Sequence, residues 1–526
     1  MILITSLNGV AQNTNRYMVF FKDKADNNYS MTHPQEFLTS RAILRIGRSI
    51  SEEDLPVTKD YLDQLSTNNA TIIGTTKWLN GALAIINEVD LSEINDLSFV
   101  SRIEYVAPGT KPSVGGRVSS DYSEGDIEVY GEVLVQQSML NTDMMNQDGF
   151  DGGSQLVAVL DGGFTNVDEI AYFSHLYESG QIVDVHNFVT TGKDIYDYSD
   201  HGTRVFSTIA ASGSDYVGIA TGADYLLYVT EASGEYRIEE YNWLMAAERA
   251  DSIGVDIITT SVGYSYFDDA SMDYAHDDLD GKTAIVTIAA EKAFERGIVV
   301  VSSAGNSGNR TWQKVTPPAD GENILAIGSV GENQQRDRTS SIGPVVEDWT
   351  KPDLMAMGSR ALIIGESGII SSGSGTSFAA PQVAGLIAGI HQKYPELSNI
   401  ELIDIIRASA DRASSPDNQY GNGIPSYLGF VNYYEQQKNI LSLSSMQITT
   451  NPITDDVLRI KANPDLIDKI GVIVFTMDGK KVLTCTKELT WADNPVEIPV
   501  GSLSKGIYIM KIFSDEEIIT SRVVKQ

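Results

Sequence analysis

Three short segments carry residue types that a hydrophobic core does not need. In Val157-Ala158-Val159-Leu160-Asp161-Gly162-Gly163 a carboxylate closes a wholly apolar run, and two glycines then let the chain turn sharply. In Asp200-His201-Gly202-Thr203 an imidazole opens a stretch, Val205 to Ala211, that reads as a helix. A histidine at a helix start gains nothing from the dipole when charged, which favours the neutral form a general base needs. In Gly373-Ser374-Gly375-Thr376-Ser377-Phe378-Ala379-Ala380-Pro381 glycines permit close backbone approach just before a hydroxyl. Val383, Ala384, Leu386, Ile387 and Ile390 then continue as a buried helix, with Pro381 expected in its first turn, where a missing N–H is harmless. Free N–H groups at such a start suit an oxyanion. Each segment alone reads as an ordinary turn or cap. Together they are no longer ordinary: their order along the chain, Asp, His, Ser, matches one of the known triad orders.

The order Asp, His, Ser narrows the choice. An α/β-hydrolase places its histidine after the serine, and only His391 follows Ser377, inside the same apolar helix. The Gly375-Thr376-Ser377-Phe378-Ala379 context also lacks the last glycine of a nucleophile elbow. A chymotrypsin-like chain would be all-β with the acid after the histidine. The zinc-peptidase pattern His-Glu-x-x-His is absent from the six histidines.

The residues around these segments form the scaffold that must position them. Tyr225 to Val229, Val255 to Ile258 and Ile298 to Val301 are further apolar runs, separated by helical patterns such as Tyr241–Ile253 and Ala284–Arg296. Strands buried on both faces with crossover helices make an α/β fold on a parallel sheet, whose carboxyl ends gather ligands and catalytic groups. Before it, Tyr17–Phe21, Ala70–Ile73, Gly81–Ile86 and Val100–Val106 read as strands, and Pro34–Ile50 and Thr58–Leu65 as helices, of a small α+β unit. A polar stretch from Pro108 to about Tyr130, with Gly115-Gly116 and Ser119-Ser120-Asp121, reads as an exposed linker. After Leu441 short strands and turns, including the hairpin signal Met477-Asp478-Gly479-Lys480, suggest a β-sandwich.

At this point the chain is identified by resemblance. Asp161-Gly162-Gly163, His201-Gly202-Thr203 and Gly375-Thr376-Ser377-Phe378-Ala379-Ala380-Pro381 resemble the triad motifs of the subtilisin-like serine peptidases, the subtilases. The resemblance implies Ser377 as nucleophile, His201 as general base and Asp161 as its orienting partner. It also makes Ala304-Gly305-Asn306 the oxyanion-hole strand end, with Asn306 donating its amide beside the Ser377 N–H. Ser261, Gly263, Ala304 and Gly305 are then the expected substrate-binding residues, with a peptide pairing along Ile257–Gly263. Lys351-Pro352-Asp353-Leu354-Met355-Ala356 and Pro317-Pro318-Ala319-Asp320 fall where subtilases carry similar runs. Arg204 departs from the pattern, standing where many subtilases have a second histidine, and is expected to alter the rim of the site.

The flanking units resemble an inhibitory subtilase propeptide and, through Asn451-Pro452, Leu503-Ser504-Lys505-Gly506-Ile507-Tyr508 and Val523-Val524-Lys525, a type IX secretion sorting domain. The expected divisions are 1–12 for a partial signal peptide, 13–108 for the propeptide, 109–439 for the peptidase and 440–526 for the sorting domain. Gly9-Val10-Ala11 is the small-x-small element behind the first of these, although no basic residue precedes Arg16. The implied product is a secreted or cell-surface serine endopeptidase made as a zymogen. Its partners would be protein or peptide substrates, its own propeptide and the secretion machinery. The alternative is a secreted binding or adhesion protein on a catalytically silent subtilase fold.

Composition bounds these readings. With 38 basic against 71 acidic residues, a net charge of −33 makes nucleic acid an unsuitable partner. It also suggests attraction of basic peptides at low salt. No apolar run is long enough to span a membrane. One cysteine, Cys485, forbids an internal disulfide. No cofactor is required and no metal ligand is assigned. Structural calcium fits the family, but Asp277-Asp278-Leu279-Asp280-Gly281 lacks the spaced ligands of a calcium loop and reads as a solvated acidic turn.

Overall fold

The computed structural model describes residues 14–109, 121–123, 129–190, 194–346, 349–443, 446–462, 469–477, 479–488, 495–514 and 518–526. The signal-peptide assignment, Gly115-Gly116, Ser119-Ser120 and Asp478 lie outside these residues. Two compact units divide after Phe430.

In the first unit the amino-terminal strands β1 (Thr14–Phe21), β2 (Thr71–Thr76), β3 (Gly81–Asn87) and β4 (Val100–Pro108) form an antiparallel sheet in the order β2-β3-β1-β4. Alternation along β1 serves two cores. Tyr17, Val19 and Phe21 pack with Leu65 of helix α1 (Lys59–Thr67), while Met18 and Phe20 join the core of the larger domain. The stretch Pro34–Ile50 is not one helix. Thr39 caps a short helix at Ser40–Leu44 by accepting from the Ala42 N–H, and the extended backbone of Arg45 ends it before Gly47 turns the chain at φ +80°.

The larger domain holds a seven-stranded parallel sheet. Its strands are β6 (Leu156–Asp161), β7 (Ile182–Asn187), β8 (Asp224–Val229), β9 (Ile257–Thr260), β10 (Val299–Ser303), β11 (Leu325–Val330) and β12 (Leu354–Met357), in the order β12-β11-β10-β9-β6-β8-β7. Strand β6 is buried at every residue, as a central strand covered on both faces must be. A second, antiparallel sheet joins β5 (Asp121–Ser123), β13 (Ala361–Ile364) and β14 (Ile370–Ser374). Asp121 therefore belongs to a strand and not to an exposed linker, because Gly373 and its neighbours in β14 offer it a pairing edge. The helices that matter to the site are α2 (His201–Ala210), α3 (Ile238–Ile253), α4 (Ile285–Glu295) and α5 (Thr376–Lys393).

The amino-terminal sheet is fastened to α3 and α4 by charge as well as by apolar contact. Asp251, wholly buried on α3, receives Arg45 at 2.9 Å, Lys77 at 3.2 Å and Arg48. Arg48 also meets Asp54 at 3.0 Å, and Arg296 beyond α4 meets Asp54 at 2.9 Å and Glu53 at 3.0 Å. Glu248 on α3 accepts from the Lys77 and Trp78 N–H groups at 2.9 and 3.0 Å. These partners replace the water that each charge loses on burial.

The second unit carries the antiparallel sheets β15-β16-β19 (Met446–Ile448, Val457–Ala462, Val496–Pro499) and β18-β17-β20-β21 (Lys481–Glu488, Lys469–Thr476, Gly506–Phe513, Ile518–Lys525). Leu458, Ile460, Val472, Val474, Ile498, Met510 and Ile512 share one core between them, the two-layer β-sandwich that the alternation predicts. Cys485 is a half-buried free thiol paired across the sheet with Val472.

Candidate active site

Asp161 ends β6, where the extended backbone gives way to the Gly162-Gly163 turn. Gly163 has φ +152°, and a Cβ there would lie 2.3 Å from the Ser199 nitrogen. A Cβ on Gly202 would lie 2.3 Å from the Gly163 oxygen. This glycine-on-glycine approach lets the first turn of α2 descend onto the end of β6. Asp161 Oδ1 accepts from the Gly162 N–H at 2.7 Å and bonds His201 Nδ1 at 2.7 Å. Both side chains are buried, with 4% exposure for the imidazole and none for the carboxylate. The second ring nitrogen, Nε2, is also buried and has no hydrogen-bond partner.

Ser377 is the second residue of α5, whose first residue follows the extended Gly375. The His201 ring and the Phe378 ring, on the residue after Ser377, have centroids 6.2 Å apart, so the starts of α2 and α5 lie side by side. Ser377 Oγ donates to the Ser261 carbonyl at 3.3 Å, and Ser261 Oγ donates to the Ser377 carbonyl at 2.8 Å. Pro381 explains the second bond. It lies in the second turn of α5, not the first, and its absent N–H leaves the Ser377 carbonyl, four residues back, without its helical donor. The Ser261 hydroxyl fills that place, which the sequence alone does not reveal.

Asn306 follows β10. Its Oδ1 accepts from the Thr376 N–H at 2.9 Å and the Thr376 hydroxyl at 3.1 Å, and the Gly305 N–H donates to that hydroxyl at 3.1 Å. With Oδ1 held on Thr376, the amide donors of Asn306 are left for a cavity of about 430 Å³. The cavity is lined by Ser261, Gly263, Gly305, Asn306 and Ser377 among others. Gly263 and Gly305 admit Thr316 behind the wall; a Cβ on either would come within 2.9 Å of its hydroxyl. Ala304 stands apart from this group. It is fully buried, with its N–H on Ile327 and its carbonyl taken by Thr316, so it backs the wall without facing the cavity. Arg204 is likewise not on a rim: it is 8% exposed, packs against Gly365 and pairs with Asp200, the residue just before α2.

A subtilase family model matches residues 152–423, which contain every residue of this site. The chain belongs to the subtilase family. A Bacteroidota model, the peptidase S8 propeptide domain, matches residues 16–119, and a secretion system C-terminal sorting domain matches residues 450–526. This subtilase is 27% identical over 370 residues to subtilisin NAT of Bacillus subtilis subsp. natto, covering 69% of the chain and 83% of that protein. It is 27% identical over 317 residues to a thermostable alkaline protease of Halalkalibacterium halodurans, covering 59% and 78%. Subtilisin DY of Bacillus licheniformis is 29% identical over 291 residues, 54% of this chain and 94% of its own. In fold it is similar to the crystal structure of the epidermin leader peptide processing serine protease of Staphylococcus aureus. That likeness has a TM-score of 0.54 and 15% identity, over 80% of this chain and 99% of the other.

The protein is thus a subtilisin-like serine endopeptidase with a propeptide and a sorting domain that marks it for secretion or cell-surface attachment. No helix among the described residues is long and apolar enough to cross a membrane. Nor, among them, does any group of three or more His, Cys, Asp or Glu side chains form a metal site. In the acidic turn Asp278 caps the Ala275 N–H, and Asp280 accepts from Lys282, Thr283 and the Thr283 hydroxyl.

Sequence reasoning missed Thr376, which aims Asn306, and Glu231, a carboxyl in the cavity wall. Burial pushes Glu231 up to about 8. It lies two residues beyond β8, so the gathering of functional groups at carboxyl ends of parallel strands was the signal that could have found it.

Proposed function

We propose that this subtilase hydrolyses peptide bonds through an acyl-enzyme on Ser377, with His201 as base and then acid, and Asp161 holding the ring. The observation that carries this reading is the buried 2.7 Å bond from His201 Nδ1 to Asp161, which leaves Nε2 as the ring's free nitrogen beside α5. Rotation about the Ser377 Cα–Cβ bond takes Oγ from the Ser261 carbonyl to Nε2. Such bonds are often unmade in an empty site. Oγ then attacks the scissile carbonyl as its proton passes to Nε2. The charge that grows on the carbonyl oxygen is met by the Asn306 amide and the Ser377 N–H. Collapse expels the amine with the proton from Nε2. Water, deprotonated by the same nitrogen, releases the acid and restores Ser377.

Ser261, Gly263 and Gly305 bind the peptide main chain, with Ala304 supporting them from behind. Residues 13–108 inhibit the precursor, 109–439 carry out the reaction, and 440–526 engage the secretion machinery. No cofactor takes part in this chemistry. A fluorophosphonate should label the processed protein on Ser377, as mapped by peptide mass spectrometry, and Ser377→Ala should abolish both labelling and peptide cleavage. A folded, processed protein that stays unlabelled would refute the reading.

A further inference from the structure

Helix α5 delivers Ser377 with one helical hydrogen bond missing. A proline inside a helix removes the donor for the carbonyl four residues back, and here that carbonyl belongs to the nucleophile itself. A buried carbonyl left without a donor is costly, so the position calls for a replacement. The Ser261 hydroxyl supplies one at 2.8 Å, and both serines are buried, at 4% and 3% exposure. The next carbonyl, that of Phe378, is likewise met by a side chain, with Gln382 Nε2 donating at 2.6 Å. The opening turns of α5 are therefore held by side chains as well as by the helix ladder.

The place of Ser261 in the sheet gives this bond its meaning. Ser261 directly follows β9, which lies between β6 and β10. Strand β6 ends in Asp161, and β10 leads to Asn306. Thr260, beside Ser261, pairs with Leu160 on one side and Ser302 on the other. Its hydroxyl accepts from the Trp243 indole at 3.0 Å and donates to the Leu160 carbonyl at 3.3 Å. One hydrogen bond from this anchored point ties the nucleophile to the layer that carries its acid and its oxyanion donor. Upstream of Ser377 the chain is tethered already, the Gly375 N–H to the Gly358 carbonyl at 2.8 Å and the Thr376 N–H to Asn306 at 2.9 Å. Ser261 holds the downstream side, so the Ser377 N–H lies between two fixed points.

We propose that Ser261, through its hydroxyl, is a positioning residue for acyl transfer, standing in for the N–H that Pro381 lacks and so fixing Ser377 against the sheet. This rests on the acyl-enzyme reading above and adds a residue that acts through the nucleophile. It is separate from main-chain pairing with the substrate, which uses the Ser261 carbonyl and survives loss of the hydroxyl.

The test is a double-mutant cycle of Ser261→Ala and Pro381→Ala in the self-processed full chain, with rates expressed per Ser377 titrated by a fluorophosphonate. Ser261→Ala alone should lower kcat about tenfold or more and leave KM within about twofold, because a small displacement of the nucleophile acts on the transition state. Pro381→Ala gives the helix its missing N–H, so in that background the same Ser261→Ala change should cost less than about threefold in kcat. A hydroxyl that only fills space would not be rescued by a backbone donor on another element. An equal loss in the two backgrounds overturns the inference, as does a kcat that Ser261→Ala leaves unchanged. A rise in KM at constant kcat would assign the hydroxyl to the substrate and overturn it too. If Ser261→Ala yields no titratable enzyme, the double variant decides: recovery supports the inference and failure overturns it. Loss of titratable enzyme in Pro381→Ala alone also overturns it, since a helical N–H would then be no substitute. Wild-type labelling keeps these failures apart from that of the acyl-enzyme, whereas a folded, processed wild type that stays unlabelled overturns both readings.

Discussion

Replacing Asp251 with Asn tests how the propeptide is gripped. The three cations on this carboxylate, Arg45, Arg48 and Lys77, all come from the amino-terminal unit, and the Arg48 and Asp251 side chains have no solvent exposure. Removing one partner of a buried ionic group costs about 3–5 kcal/mol, because the charge left behind is neither solvated nor paired. Arg48 keeps Asp54 at 3.0 Å and Lys77 keeps the Ser252 hydroxyl at 2.7 Å, so the lower end of that range is expected. At about 1.4 kcal/mol per decade, the propeptide should then bind at least about a hundredfold more weakly. The change should be confined to the complex, since mature enzyme presents Asp251 to water with none of these partners. The assay is the inhibition constant of purified propeptide added to mature wild-type and Asp251→Asn enzyme, with Tm of the mature forms as control. The time the precursor needs to develop activity should shorten in parallel. The same cations hold the Asp251 carboxyl well below the ordinary carboxylate range. A depressed pKa in the complex stabilises it above the free value and loses that contribution only as pH falls through the lowered value, so mild acid should leave this grip in place. An inhibition constant altered less than about threefold would refute the reasoning, because it would mean that water already shields the cluster.

Three other outcomes follow from the site. Asn306→Ala should lower kcat by about 10²–10³ with a much smaller change in KM, by steady-state kinetics, because its amide acts on the charge of the transition state. Gly202→Ala would force a Cβ against the Gly163 oxygen, which is backbone and cannot swing aside. A loss of about 1–3 kcal/mol in denaturant unfolding, with a fall in kcat as His201 leaves Asp161, is expected. Glu231→Gln should change the pH dependence of stability. A carboxyl raised to about 8 in the folded state contributes stability that is complete below its unfolded value and is lost as pH rises through about 8. The variant lacks that loss, so Tm scans from pH 5 to 9 should show it gaining on the wild type, by about 1.4 kcal/mol for each unit of displacement.

The parts of this molecule that could be read from sequence are those fixed by short-range pattern. Val157–Leu160 is apolar at every position because β6 is covered on both faces, and the carboxylate that ends it stands out for the same reason. Helices α3 and α4 appear within a few residues of their expected limits. What sequence missed depends on distant contacts. Asp121–Ser123 looks like a linker until β14, some 250 residues later, pairs with it. Arg204 looks exposed until Gly365 and Asp200 enclose it. Glu231 looks like a loop residue until Tyr264 reaches it from beyond β9. Pro381 was misplaced by one turn because the start of α5 is set by Thr376 and the extended Gly375, and not by the proline.

The reciprocal bonds between Ser261 and Ser377 place the nucleophile under a form of restraint. In this structure the reactive hydroxyl is spent on the Ser261 carbonyl, a main-chain acceptor just beyond the strand along which an extended peptide would pair. A peptide N–H arriving at that carbonyl competes for it and sets the hydroxyl free to turn toward the imidazole. The signal for reactivity is then the backbone of the visitor, common to all peptides and absent from most small electrophiles. An enzyme working outside the cell, with no means of being resynthesised in place, would by this arrangement keep its nucleophile idle between substrates.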